Sequence, residues 1–152
     1  MSFSEALFLI KRTDDAKDLP LPSRATPMSA GMDLRANIQD EVVIAPGERM
    51  LIPTGIKIAL PFGYEAQIRA RSGLALKFGI GTVNSPATID ADYRGELTVL
   101  LINWGNKPFN IQRSDRIAQI VICEVVMEEF TEADSLPETT RGEGGFGHSG
   151  QH

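Results

Sequence analysis

The chain reads as an all-β domain, a jelly-roll-like barrel or sandwich, on three observations. Short runs rich in β-branched residues occupy most of its length, Pro, Gly, Asn and Asp punctuate them at regular intervals, and one run alternates cleanly between its two faces. In "GYEAQIRA" (63–70), Tyr64, Ala66, Ile68 and Ala70 lie on one side, and Glu65, Gln67, Arg69 and Arg71 on the other. The remaining strand-like runs are "ALFLIK" (6–11), "MDLRANI" (32–38), "EVVIAPG" (41–47) and "MLIPTGIKIAL" (50–60). They continue with "GELTVLLIN" (95–103), "PFNIQR" (108–113) and "DRIAQIVICEVV" (115–126). One short helix is expected over "SGLALKFG" (72–79), and the three prolines of "DLPLPSRATP" (18–27) predict an extended surface connection. The single domain divides into a β body (1–126), an acidic connector (127–140) that is either linker or partly helical, and a glycine-rich end (141–152).

The composition narrows the function. A chain of 152 residues with 42% hydrophobic content is long enough for one well-buried core. A net charge of -5 argues against tracking a polymeric nucleic acid, because phosphate backbones demand broad positive surfaces. A small anionic ligand needs only a local cluster of donors. No run approaches a membrane span, and the N-terminal stretch lacks the basic lead and cleavage site of a signal peptide, so the expectation is a cytoplasmic protein. The lone Cys123 excludes an internal disulfide and reads as a buried apolar residue. Both histidines, His148 and His152, fall near the C-terminus, so any base in the body working near neutral pH is expected to be a carboxylate.

Five stretches carry chemistry. "GTVNSPATIDADYRGEL" (81–97) has the composition of a turn or hairpin, yet Asp90 follows Thr88-Ile89 at the end of an extended segment, which aims it at a fixed point. With the Asn84 amide and the Tyr93 ring it has the parts to read a small planar ligand. "RARSGLALK" (69–77) sets Arg71 before Ser72-Gly73 where a helix opens, which suits either an anion or a plain helix cap at the serine. Asp33 in "AGMDLRA" either holds metal-bound water or faces solvent. Gln119 interrupts an apolar run and needs polar partners, internal or from a ligand. Finally, "RGEGGFGHSG" (141–150) pairs mobile glycines with Arg141, Phe146 and Ser149, and matches no glycine loop of the strand–loop–helix kind.

Together, in order and spacing, "AGMDLRA", "RSGLALK", "NSPATIDADYRGE", "RSDRIAQI" and "RGEGGFGHSG" resemble the five motifs of the trimeric dUTPases (deoxyuridine 5'-triphosphate nucleotidohydrolases). The resemblance implies a jelly-roll subunit in a homotrimer whose active sites are shared between subunits. It implies hydrolysis of dUTP to dUMP and pyrophosphate with Mg2+, removing dUTP and supplying dUMP for thymidylate synthesis. Asp90 would activate the attacking water, and Asn84 with the backbone at Thr88 and Ile89 would read uracil. Tyr93 would pack under the deoxyribose. Arg71, Ser72 and Gly73 would hold phosphates, Gln119 would take a catalytic part in contact with the phosphate and water region, and Asp33 would reach the metal through water. Arg141 would clamp the terminal phosphate, Phe146 would cover the uracil, Ser149 would add a phosphate contact, and Gly147 would lie against the substrate.

Two positions depart from the family pattern. Ala87 stands where many members have glycine, and would be strained if that position required a positive φ. His148 stands where Ser or Thr is frequent, and can still donate to phosphate. Two other readings fit the same fold, a dCTP deaminase-like enzyme and a non-catalytic nucleotide-sensing regulator. The "RSGLA" and "DYRGE" forms favour the hydrolase, and a pure binder would have no use for Asp90, Arg141 and Phe146 together.

Overall fold

The computed structural model describes residues 7–148, and its strands are β1 (Leu9–Arg12), β2 (Met32–Arg35), β3 (Val42–Ile44), β4 (Arg49–Pro53), β5 (Ile56–Ala59), β6 (Tyr64–Arg69), β7 (Ile80–Thr82), β8 (Ala87–Ile89), β9 (Thr98–Asn103), β10 (Phe109–Ile111) and β11 (Arg116–Glu124). One helix, α1 (Ser72–Phe78), lies between β6 and β7. The strands form a jelly-roll-like subunit from a four-stranded sheet ordered β2-β11-β6-β8, a three-stranded sheet ordered β4-β9-β7, and two pairs, β1-β5 and β10-β3. All pairings are antiparallel.

The core forms because the alternating strands turn their aliphatic side chains inward. Ile56 and Ile58 of β5, Ala66 and Ile68 of β6, and Val99 and Leu101 of β9 are all buried. Each such branched side chain contributes about 1.5–3 kcal/mol by leaving water, and truncating Ile68 to alanine should cost about 2–5 kcal/mol. Asn103, also on the inward face of β9, is fully buried yet satisfied: its amide donates to Ile44 O and Lys107 O and accepts from Gly105 N, each at 2.8 Å.

Several expected elements differ in extent. The run 50–60 splits into β4 and β5 at Gly55, whose φ of 69° is hard for other residues and whose missing Cβ leaves room for Ala16 and Asn37. The helix ends at Phe78 because Gly79 caps it with φ 70°, and a Cβ there would strike the Gly105 backbone. The cap at its other end is Arg71, not Ser72, and no side chain bonds to that end. The segment 81–97 is not a self-paired hairpin: β7 joins β9 in one sheet and β8 joins β6 in another. Ala87 lies within β8 opposite Ile68, and among the described residues positive φ outside glycine occurs at Ser114 and Phe146, so the conditional strain at Ala87 does not arise. Cys123 sits opposite Glu65 on β11 and is half-buried, not enclosed. The connector has no helix.

A polar hub ties the N-terminal region to the loop that leads into β11. Arg113 donates to both Asp18 carboxylate oxygens (2.7 and 3.1 Å), to Asn37 Oδ1 (2.8 Å) and to Asp15 O (2.7 Å). The Arg113 hydrogen bond holds the Asp18 carboxyl below its ordinary range, and hydrogen bonds from Thr13 and then Asn37 do the same for Asp15. The hub fixes where β11 begins, and β11 carries part of the cleft described next.

Candidate active site

Three of the chemistry-bearing stretches converge on one cleft of about 440 Å3, whose lining includes Gly31, Asp33, Arg71, Ser72, Gly73, Arg116 and Gln119. The register of the four-stranded sheet brings them there, because Gln119 on β11 stands opposite both Asp33 on β2 and Arg69 on β6. Arg71, just past β6, donates from Nε to Asp33 Oδ1 at 2.9 Å and from Nη1 to Arg116 O at 3.3 Å. Arg116 Nη1 lies 3.4 Å from Asp33 Oδ2, so one carboxylate is shared by two guanidiniums. Gln119 donates from Nε2 to Ala70 O at 2.9 Å. Its side-chain oxygen occupies the space a Cβ on Gly31 would need, so a larger residue there must push the Gln119 amide aside. Ser72 and Gly73 open the first turn of α1 at the cleft edge, exposed, with free backbone N–H groups characteristic of a helix start.

Arg116 is the cleft residue that periodicity does not reveal. In a regular strand, Arg116 and Gln119 would face opposite sides. The register of β11 against β2 shifts between Arg116 and Ala118, a β-bulge that absorbs Ile117. Ile117, Ala118 and Ile120 therefore all turn inward, while Arg116 and Gln119 both reach the cleft.

The 83–96 stretch lies elsewhere on the same sheet. Asn84 is exposed in the bend between β7 and β8, Thr88 is exposed, and Ile89 packs partly on the core. Asp90 follows β8 directly, exposed, in a turn closed by Tyr93 N to Asp90 O at 3.1 Å. Tyr93 is 43% exposed. Its hydroxyl donates to Glu96 O at 3.2 Å, and it fills the space left by the missing side chain of Gly95. Extending the β6–β8 register by one step sets Asp90 level with Glu65, four residues along β6 from the Gln119 row and three strands across from Asp33. At ordinary strand rise and spacing that places Asp90 roughly 20 Å from Asp33. Asp90 and the cleft of one chain cannot touch the same phosphate.

The C-terminal stretch stands apart from both. Arg141 donates from Nε to Gly144 O at 2.8 Å, Gly142 N donates to Thr139 O at 3.1 Å, and His148 N donates to Gly145 O at 3.0 Å. Phe146 is fully exposed with φ 46°, and Gly147 beside it has φ 85°. Ser149 lies outside the described residues.

One carboxylate does not make a protein-built metal cage, and the described residues contain no cluster of three or more His, Cys, Asp or Glu able to hold an ion. The cleft does suit Mg2+ carried on a polyphosphate, because that ion keeps most of its waters and needs only one or two carboxylates. No helix among the described residues is long and apolar enough to cross a membrane.

Comparison with known proteins identifies the family. The dUTPase family profile matches residues 17–150. A deoxyuridine 5'-triphosphate nucleotidohydrolase of Thermoanaerobacter sp. is 57% identical over 141 residues, covering 93% of this chain and 95% of that protein. One from Anaplasma marginale is 53% identical over 141 residues, covering 93% and 96%. Among solved structures, the dUTPase of Staphylococcus bacteriophage 80alpha with dUPNHPP superposes with a TM-score of 0.85 at 25% identity, over 95% of this chain and 98% of that one. A dUTPase of S. aureus phage phi11, described with a structural Mg(II) ion, shares the fold at a TM-score of 0.76 and 20% identity, over 87% of this chain and 99% of that one. With the family profile and relatives at 53–57% identity both spanning most of its length, the chain belongs to the dUTPase family.

Proposed function

We propose that this protein hydrolyses dUTP to dUMP and pyrophosphate with Mg2+, in the cytoplasm, at active sites shared between the subunits of a homotrimer. The observation that carries the shared site is the separation of Asp90 from the cleft, read together with family membership. Each half is open and chemically incomplete, and a neighbouring copy supplies what is missing. Disposal of dUTP and provision of dUMP for thymidylate synthesis follow from the reaction.

In this reading, Arg71, Ser72, Gly73 and Gln119 of one subunit hold the phosphates. Asp33 would hold Mg2+ through water, and the ion when bound would offset the charge of the triphosphate. From a neighbour, Asn84 and the backbone at Thr88 and Ile89 read the uracil edge, while the fixed Tyr93 ring packs under the deoxyribose and leaves no room for a 2′-hydroxyl. Asp90 accepts a proton from the water that attacks the α-phosphorus. The bond from that phosphorus to the bridging oxygen breaks, and pyrophosphate leaves. Arg141 clamps the terminal phosphate, Phe146 covers the base, and Gly147 and Ser149 close the remaining contacts. The acceleration comes from positioning and charge neutralisation more than from covalent chemistry. Base selection comes from polar groups that a wrong base leaves unpaired.

The test is a substrate panel of dUTP, dCTP, UTP and dTTP with Mg2+, assayed for pyrophosphate and ammonia. Pyrophosphate from dUTP alone supports the reading. Ammonia from dCTP would favour the deaminase, and binding without turnover would favour a nucleotide sensor.

A further inference from the structure

We propose that Arg116 is a second phosphate-binding arginine of the cleft, one that leaves Asp33 for the triphosphate when nucleotide enters. The inference rests on the polyphosphate reading above and deepens it. Within the cleft, two guanidiniums share one carboxylate, so the group carries surplus positive charge on a molecule whose net charge is -5. The two arginines are held very differently. Arg71 meets Asp33 at 2.9 Å, with its side chain 27% exposed and a second bond to Arg116 O. Arg116 meets it by a single 3.4 Å contact, with its side chain 51% exposed. That contact is weak and solvent-screened, so turning the Arg116 side chain onto a more highly charged acceptor costs little. A guanidinium offers a fork of donors that matches phosphate oxygens.

The β-bulge at Ile117 is what aims Arg116 at this cleft beside Gln119. The support that Arg116 gives to Arg71 comes from its main-chain carbonyl, so replacing the side chain leaves that support in place. A side-chain substitution therefore isolates the guanidinium.

The experiment titrates the assembled full-length protein with inorganic tripolyphosphate in EDTA by calorimetry. Arg116→Gln should weaken binding about tenfold, the loss of one charge-assisted contact, and Arg116→Lys should restore part of it. Asp33→Asn should shift affinity the opposite way, because it removes the anion that competes for both arginines. With dUTP and Mg2+, Arg116→Gln should raise KM more than it lowers kcat. Unchanged tripolyphosphate affinity in Arg116→Gln would overturn the proposal. So would equal weakening by Arg116→Gln and Asp33→Asn, which would make Arg116 a prop for Asp33, or an absence of tripolyphosphate binding by the unmodified protein. If that protein binds tripolyphosphate without cleaving dUTP, the hydrolase reading fails while the titration still decides the role of Arg116.

Discussion

The two ends of the four-stranded sheet are built to different standards. At the end that carries Asp33 and Gln119, the functional polar side chains have partners within the chain: Arg71 and Arg116 on Asp33, and Gln119 on Ala70. At the far corner, Asn84 and Asp90 stand exposed, and Tyr93, also exposed, is braced by its own turn. In the proposed reading, the first is an anion cleft and the second presents its groups to a neighbouring subunit. The two are then complementary half-sites, and the distance between them is the physical argument for sharing.

The largest effect should come from the exposed corner. Asp90→Asn keeps the shape of the turn and removes the base, so turnover should fall about a thousandfold while nucleotide binding, followed by calorimetry, persists. Unchanged turnover would take Asp90 out of that role. Deleting residues 141–152 should lower turnover roughly a hundredfold through lost positioning, with thermal stability and oligomeric mass unaltered, because the hydrogen bonds seen for residues 141–148 are local. A truncated protein with normal kinetics would show that the stretch contributes nothing.

The cleft end should respond more through stability. In Gly31→Ala, the added Cβ collides with the Gln119 amide. We expect a loss of about 1–3 kcal/mol in thermal denaturation, together with a raised KM. The smallest effect concerns the Arg113 hub. The Asp18 carboxyl is held below its ordinary value of 3.8, so its contribution is complete above that value and is lost as pH falls through the lowered one. Asp18→Asn should therefore flatten the loss of stability that sets in as pH falls below the ordinary carboxyl value of 3.8, and leave Asp90-dependent chemistry untouched. Identical acid melting of the two proteins would remove Asp18 from the hub.

Much of this was legible in residue patterns. The alternation of 63–70 fixes which face of β6 is buried, and the short run before Gly79 is the helix it resembles. Asp90 does follow an extended segment. What was hidden depends on registers that no local pattern encodes. Period-two reasoning separates Arg116 from Gln119, and only the bulge against β2 reunites them. The turn-rich 81–97 stretch looks like a hairpin because its residues favour turns, yet its flanking strands satisfy their backbone groups in different sheets. Cys123 looked internal from its apolar neighbours, but its register opposite Glu65 leaves it half-buried. The separation of the half-sites likewise required the strand order.

Subunit complementation tests that separation most directly. Arg71→Gln and Asp90→Asn subunits, each inactive alone, would be denatured together, refolded as mixed oligomers and assayed with dUTP. The shared-site account predicts recovery of a substantial fraction of unmodified activity, because some sites then combine an intact cleft from one chain with an intact Asp90 from another. Mixed oligomers no more active than their parents would contradict it.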